Sequence, residues 1–150
     1  MQIETTRFGP VEIDGDRLID VPAGLLGFAR FSRFALLQPD DRGVFFWLQS
    51  ADSPDLAFVV TDPALWVPGY SVPLRAEQAQ EIGLVNPADA QHFVIVNRRD
   101  RSLTANLQGP LVINAAARRG LQVVLADRRW STRHELVQME AATRGMAASA

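Results

Sequence analysis

Two short segments, Val44-Phe45-Phe46-Trp47-Leu48 and Leu56-Ala57-Phe58-Val59-Val60, decide the fold that this sequence predicts. β-Branched and aromatic residues are common in both segments, and such residues favour a pleated strand. Successive side chains point to opposite faces of a strand, so a strand without a polar residue on either face is covered on both sides. We therefore expect these two segments to form the centre of the core.

The residues around these segments continue a pattern of short strands separated by turns. Pro39-Asp40-Asp41, Asp52-Ser53-Pro54-Asp55 and Asp62-Pro63 bound the central strands, and these residue types are typical of tight turns. Further apolar strands follow, and Leu121–Ala126 is the last of them. Short strands with turn residues at such spacing indicate an all-β barrel or sandwich. The sequence predicts a mainly β, single-domain, antiparallel, barrel-like fold with one or two short helices.

The clearest helical signal lies in the middle of the chain. Leu74, Gln78 and Ile82 are four residues apart on one helical face, and Gly83 follows as a terminator. No serine, threonine, aspartate or asparagine stands at the start of this helix as a cap. Asn86-Pro87 combines a capping residue with a proline at the first helical position, which indicates one more helical turn.

The domain boundary is predicted near Leu136. Beyond it the sequence has many helix-forming residues but no sustained apolar face. Chain ends without such a face are commonly poorly ordered. We therefore expect residues 1–136 to form the globular domain and residues 137–150 to form a flexible or weakly helical tail.

The composition excludes several classes of chemistry. The chain has 150 residues and no cysteine, which excludes disulfides, thiolate nucleophiles and cysteine metal sites. All 15 basic residues are arginine, so lysine Schiff bases and phosphate-loop lysines are excluded as well. No stretch has the roughly 18 apolar residues of a membrane span, and the first residues lack the pattern of a signal peptide. We expect a cytoplasmic protein.

Charge is distributed unevenly along the chain. Residues 1–75 contain 6 arginines and 10 acidic residues, whereas residues 76–150 contain 9 arginines and 7 acidic residues. The front half is therefore acidic and the back half is mildly basic, within a net charge of −2. Proteins that bind nucleic acid non-specifically are usually strongly basic, so this balance argues against that function. It is compatible with a polar protein partner.

Few residues could support catalysis. His92 and His134 have no carboxylate or second histidine at ligand spacing, and no nucleophilic-serine motif is present. Gly24-Leu25-Leu26-Gly27 has glycines at the spacing of some phosphate-binding loops but no basic residue directly after it. A tight turn that needs glycine explains this segment better. The sequence therefore predicts no enzyme active site, no metal site and no cofactor.

Asp52, Asp55 and Asp62 lie in the turns next to the central strands. Each stands beside proline or serine, where aspartate commonly accepts backbone hydrogen bonds. Two carboxylates could also perform acid–base catalysis if burial separated their pKa values. As an exposed acidic rim they could instead contact a basic protein, and we take them as candidates for partner binding.

Two aromatic and two amide residues are further candidates for partner binding. Trp66 and Tyr70 lie in a loop rich in proline and glycine, where aromatic residues either anchor an interface or cover the core. Asn106 and Asn114 stand on either side of Gly109-Pro110, although asparagine is unfavourable in strands. A side-chain hydrogen bond that shapes this turn is the favoured interpretation.

Arginines cluster at Arg98-Arg99, Arg101, Arg118-Arg119, Arg128-Arg129 and Arg133. Small β-barrels that bind single-stranded RNA combine such a basic surface with aromatic side chains on which bases stack. The aromatic residues that could stack bases, Phe45, Phe46, Trp47 and Phe58, fall in the predicted core, away in sequence from the arginines. An RNA-binding barrel is therefore the weaker alternative function.

Five segments together resemble the flagellar assembly factor FliW family. They are Val21–Phe28, Phe46–Ser50, Pro54–Pro63, Asn106–Asn114 and Arg133-His134. Each match alone is unspecific, but the five occur in the family's order and at its spacing. The resemblance extends from about Ile3 to Leu136.

The resemblance implies a small β-barrel-like protein without enzymatic activity. Proteins similar to it bind flagellin and the carbon storage regulator CsrA, a small RNA-binding translational repressor, in the cytoplasm. Secretion of flagellin leaves the protein free to sequester CsrA, which relieves the repression of flagellin translation. The family motifs add Arg133 and His134 to the candidate partner-binding residues, next to Asn106 and Asn114. No direct contact with nucleic acid or membrane is implied.

Overall fold

The computed structural model describes residues 1–39 and 41–138. Helical structure in this part of the chain comprises α1 (Ala76–Glu81) and short 3₁₀ helices at Gly15–Arg17, Pro63–Leu65 and Pro87–Asp89. The strands in the same residues are β1 (Gln2–Thr5), β2 (Gly9–Glu12), β3 (Leu18–Asp20), β4 (Arg33–Leu37), β5 (Phe45–Ser50), β6 (Ala57–Thr61), β7 (Ala90–Arg99), β8 (Ser102–Ala105), β9 (Leu111–Asn114), β10 (Arg119–Gln122) and β11 (His134–Gln138).

Seven strands close into a barrel. Their order is β7-β6-β5-β4-β3-β10-β9, and β9 pairs with β7 to complete the ring. Neighbours are antiparallel except β3 and β10, which are parallel and share the register pair Asp20 and Arg119. The start of β7 pairs with β9 and its end pairs with β8, so β8 and β11 extend the sheet outside the barrel. The prediction of a mainly β, barrel-like fold is confirmed.

The barrel interior is filled by apolar side chains that alternate along the strands. Its buried cluster consists of Ile19, Val21, Leu25, Phe34, Leu48, Val60, Phe93, Leu111 and Ile113. Central strand β5 is covered on both faces, as the sequence predicts. Phe46 points inward and meets Phe93 edge to face, at 5.9 Å between ring centroids. On the outer face, Trp47 makes an edge contact of 5.9 Å with Phe8.

Two elements cover the outside of the barrel. The β1–β2 hairpin forms a separate two-stranded sheet and packs Ile3 and Ile13 against Ala35 of β4. Helix α1 lies over β9 and β10, where Ile82 packs against Val112 and Leu121. Apolar burial therefore attaches both elements to the barrel.

The predicted helix is confirmed, with a cap that differs from the usual residue types. The Gln78 side chain accepts a hydrogen bond from the Arg75 backbone N–H at 2.9 Å, so a residue inside the first turn satisfies the start of α1. Gly83 ends the helix with φ +65°, a conformation that glycine adopts without strain. The predicted turn after Asn86 is also present, since its side chain accepts from the Ala88 N–H at 3.1 Å.

Two features of the last strands differ from the sequence prediction. The strand expected over Leu121–Ala126 is Arg119–Gln122 instead, since Val123 and Leu125 donate single backbone bonds to the β8–β9 turn. The sequence does not predict strand β11, because a register shift between Glu135 and Val137 interrupts the alternation of its side chains between the two faces of the sheet. This strand continues to Gln138, two residues past the predicted boundary. The rest of the predicted tail, residues 139–150, lies outside the described residues.

Candidate functional site

One end of the barrel, here called the closed end, is covered by the segment between β3 and β4. Leu25 from this segment is buried in the core, and Phe28 packs edge to face on Phe58 at 5.1 Å. Gln122 accepts a hydrogen bond from the Leu26 N–H at 2.8 Å and donates one to the Gly109 carbonyl at 2.9 Å. Three of the segments that resemble the FliW family, Val21–Phe28, Pro54–Pro63 and Asn106–Asn114, therefore meet at the closed end.

The glycine pair in the covering segment has the tight-turn role that the sequence indicates. Gly24 has φ +68°, and a β-carbon on it would lie 2.6 Å from the Ala29 Cα. Gly27 has φ +83° but open space around it. Both positions therefore need glycine for their backbone conformation, and Gly24 needs it for close packing as well.

Two of the three candidate aspartates lie together in the β5–β6 turn, at the closed end. Arg33 holds Asp52 with two hydrogen bonds, of 2.5 Å from Nη2 and 3.2 Å from Nε. These bonds keep the pKa of the Asp52 carboxyl below its ordinary value and raise the pKa of Arg33. Asp55 accepts a hydrogen bond from the Thr6 hydroxyl in the β1–β2 turn. The pair forms an exposed carboxylate surface with fixed side chains.

Asp62 does not join this surface. It follows β6, whose five residues separate it from the β5–β6 turn by about 17 Å along the strand. Its carboxylate accepts from the Ala64 N–H at 2.9 Å and so caps the 3₁₀ helix Pro63–Leu65. The single acidic rim expected from the sequence is therefore split between the two ends of the barrel.

Trp66 and Tyr70 both cover the outer face of the barrel near β7 and β8. The Trp66 indole N–H donates to the Thr61 hydroxyl at 3.0 Å. The Tyr70 hydroxyl donates to the Leu107 carbonyl at 2.6 Å, and its ring meets Trp130 edge to face at 4.9 Å. Burial raises the pKa of Tyr70 to about 12. Both side chains are half-buried, and their hydrogen bonds bind the loop to the domain.

Both asparagines shape turns, Asn106 the predicted one beside Gly109-Pro110 and Asn114 the β9–β10 turn instead. The Asn106 side chain accepts from the Gln108 N–H at 3.0 Å. Asn114 accepts from the Ala116 N–H at 3.1 Å, and its amide donates to the Ile82 carbonyl at 2.9 Å. Asn114 is 2% exposed and offers almost no surface to a partner. The side chain links the β9–β10 turn to the end of helix α1, and its role in partner binding stays a prediction.

Arg133 and His134 stand at the start of β11. His134 pairs with Ala105 and is half-buried, whereas Arg133 is exposed. Arg133, Arg99 and Glu135 line a shallow cleft of about 340 Å³ beside the β7–β8 hairpin. Thus the β7–β8 hairpin and the start of β11 bring basic side chains together.

The described residues contain neither a cluster of metal ligands nor a helix that could span a membrane. No three histidine, aspartate or glutamate side chains in residues 1–39 and 41–138 stand close enough to hold a metal ion. In the same part of the chain, no helix has both the length and the apolar character needed to cross a bilayer.

The opposite end of the barrel, here called the open mouth, was missed in the sequence analysis. A cleft of about 370 Å³ opens there, and Arg17, Gln91 and Arg118 are among its lining residues. These residues belong to no motif. One sequence signal could have found the cleft, because Gln91 stands at an inward position of β7, two residues before Phe93.

Known proteins are similar to this chain in sequence and in fold. A family model described as FliW protein matches residues 2–136. The flagellar assembly factor FliW of Syntrophus aciditrophicus is 41% identical over 140 residues, 92% of this chain and 89% of that protein. Its counterpart from Moorella thermoacetica is 39% identical over 139 residues, 91% and 88% of the two chains. A crystal structure of a flagellar assembly factor FliW matches with a TM-score of 0.83 at 33% identity, covering 91% of this chain and 97% of the other. This chain therefore belongs to the FliW family.

Proposed function

We propose that this protein is a cytoplasmic flagellar assembly factor that binds flagellin and the translational repressor CsrA and catalyses no reaction. The FliW family match over residues 2–136 carries the proposal, since the relatives are flagellar assembly factors. Flagellin occupies the protein while it is abundant in the cell. Its secretion frees the protein to sequester CsrA, and translation of flagellin resumes. The two binding equilibria are coupled because both partners compete for one protein.

The separation of charge in the fold supports a basic partner. Strands β3 to β6, from the acidic half of the chain, are neighbours in the ring, and strands β7, β9 and β10, from the basic half, form the rest of it. The two halves of the chain therefore occupy opposite sides of the barrel. The β1–β2 hairpin, with Glu4 and Glu12, covers the β4 side. An RNA-binding repressor exposes a basic surface, and charge complementarity accelerates the encounter of two proteins and sets their orientation.

We expect the CsrA contact at the acidic turn, defined by Asp52 and Asp55. The Asp52 side chain is 42% exposed even though Arg33 holds it, and Asp55 is exposed beside Thr6. Carboxylates that are already fixed by hydrogen bonds lose little conformational entropy when a partner binds. The turn therefore presents two preorganised carboxylates, of which Asp52 is paired with the exposed Arg33 guanidinium.

The first test is association with each partner. The protein is mixed at micromolar concentration with CsrA and, separately, with flagellin from its own organism, and each mixture is analysed by size-exclusion chromatography. We expect co-elution in both cases and release of CsrA when flagellin is added. If neither complex forms, the proposed function is wrong.

A second test locates the CsrA contact. The double variant Asp52→Asn with Asp55→Asn should weaken CsrA binding about fivefold or more at low salt, with a smaller difference at high salt. Asp62→Asn, compared with each single variant of the pair, is the control, because asparagine keeps the cap on the 3₁₀ helix while one negative charge is removed at the other end of β6. Equal weakening by the control would show that the acidic turn is not the contact.

A further inference from the structure

The floor of the open mouth is apolar and continuous with the core. Ile19 and Ile113 line the cleft and belong to the buried cluster of the barrel, and Leu36 beside them packs against that cluster. The cleft measures about 370 Å³. Ligand sites typically occupy roughly 300–1,000 Å³ and are often found in the mouths of β-barrels. This volume suits one small apolar group.

Polar side chains without protein partners surround this floor. Arg17, Gln91 and Arg118 form no side-chain hydrogen bond or ion pair with the rest of residues 1–39 and 41–138. Asp16 also lines the cleft, so two positive charges stand against one negative charge. Gln91 points inward like Phe93, two residues later on β7, so a polar side chain stands at a position where an apolar one would pack on the core. The mouth therefore offers hydrogen-bond donors that the protein itself leaves unused.

The backbone at Arg118 gives a second, independent observation. Arg118 has φ 56°, in the left-handed region that glycine and asparagine adopt at lower cost. Its N–H donates to the Asn114 carbonyl at 2.7 Å, and its carbonyl accepts from the Asp20 N–H at 2.9 Å. These bonds fix the conformation and hold the residue at the rim of the cleft. Strained residues of this kind are concentrated at functional sites.

We propose that the open mouth binds a carboxylate carried on an aliphatic group. Guanidinium groups pair with carboxylates through charge-assisted hydrogen bonds, and the Gln91 amide supplies a further donor. The aliphatic group would contact Ile19, Leu36 and Ile113. This chemistry has two sources, a free fatty acid of medium length or a peptide that ends in an aliphatic residue. The proposal is independent of flagellin and CsrA binding.

The test uses the full chain, labelled with ¹⁵N, and two probes. Sodium octanoate represents the fatty acid, and acetyl-Ala-Ala-Leu with a free carboxylate represents the peptide end. We expect saturable shifts of the Gln91 and Arg118 amide signals with at least one probe, which identifies the source. Octanol and the C-terminally amidated peptide should bind at least tenfold more weakly. Absence of saturable shifts with both acids, or equal binding of the uncharged probes, would overturn the proposal.

The decisive variant is Arg118→Asn, which removes the guanidinium but keeps a residue that tolerates the left-handed backbone. Binding of the acid probe should weaken fivefold or more, while the melting temperature stays the same or rises by about 2–4 °C. Arg119→Gln is the matched control, because the neighbouring arginine is exposed but does not line the cleft. Unchanged binding in Arg118→Asn, or equal loss in both variants, would contradict the assignment.

Arg17→Gln provides a second variant that does not depend on the β9–β10 turn. Arg17 is exposed in the 3₁₀ helix Gly15–Arg17, so we expect the variant to fold normally. It should also weaken the acid probe fivefold or more. Retention of full affinity in this variant would exclude Arg17 from the site and would contradict the two-arginine arrangement.

Discussion

Gln122 and Gln91 both point into the barrel, at opposite ends, and their surroundings differ. Gln122 bridges the Leu26 N–H and the Gly109 carbonyl, whereas Gln91 has no partner in the described residues. The difference follows from where the connections lie. The β3–β4 segment, residues 21–32, folds over the closed end and brings the Leu26 N–H to Gln122, whereas no connection in the described residues brings a partner to Gln91. One residue type is thus structural at one end and available to a ligand at the other.

Among the variants that test this difference between the two ends, Gly24→Ala should cause the largest loss of stability. The new β-carbon would lie 2.6 Å from the Ala29 Cα and 2.7 Å from the Phe28 carbonyl oxygen, so the covering segment must move. We expect the free energy of unfolding to fall by about 3 kcal/mol, measured by urea denaturation. Gly27→Ala is the control, since its positive φ costs about 1 kcal/mol but no atom lies within 4 Å. Equal losses would show that close packing does not hold the closed end.

A direct test of the comparison substitutes each glutamine by leucine. Gln122→Leu leaves the Leu26 N–H and the Gly109 carbonyl without their partner, which should lower the free energy of unfolding by about 2 kcal/mol. Gln91→Leu breaks no hydrogen bond and should change stability by less than about 0.5 kcal/mol, or increase it. Thermal and urea unfolding of the two variants provide the measurement. Similar losses would contradict the difference between the ends.

Among the variants that remove a contact, the smallest effect is expected from Tyr70→Phe, which acts on the closed end through the β8–β9 turn. Loss of the hydrogen bond to the Leu107 carbonyl should lower the free energy of unfolding by about 1 kcal/mol at neutral pH. Tyr70 is the single tyrosine of the chain, so the absorbance of tyrosinate reports its ionisation directly. We expect a midpoint near pH 12 in the folded protein and near pH 10 in urea.

The pH dependence follows from the same shift. The folded-state pKa of Tyr70 is raised, so its contribution to stability is present below pH 10 and is lost as the pH rises to about 12. The wild type should therefore lose more stability than Tyr70→Phe over this range. A native midpoint near pH 10 would show that the hydroxyl is not held as described.

Local sequence patterns predicted the central strands and the helix for a physical reason. In Val44-Phe45-Phe46-Trp47-Leu48 apolar residues occupy both faces, and Leu74 and Ile82, on either side of α1, fall on the same helical face. Strand β11 escaped prediction because its bulge interrupts the period, and its partner Ser102–Ala105 is about 30 residues earlier in the chain. The role of Asn114 was only half predicted, because its second partner, Ile82, comes from a distant helix.

The candidate site likewise has features that local sequence predicts and features that depend on distant segments. Asp52 and Asp55 are neighbours in the chain, so their common surface was predictable from the sequence. The distance of Asp62 from them depends on the direction in which β6 crosses the barrel. The open mouth combines Arg17, Gln91 and Arg118 from three elements distant in sequence, and no local pattern relates them.

By itself, the sequence determined the β-rich class, the central core strands, the excluded chemistries and the acidic and basic halves of this FliW family protein. These properties depend on residue type and on short-range periodicity, which are complete in a linear chain. Only the tertiary structure decided which end of the barrel is covered, which carboxylates meet and which arginines surround a cleft. Those properties depend on contacts between distant segments, and these form only when the parallel β3–β10 pair and the double pairing of β7 close the ring.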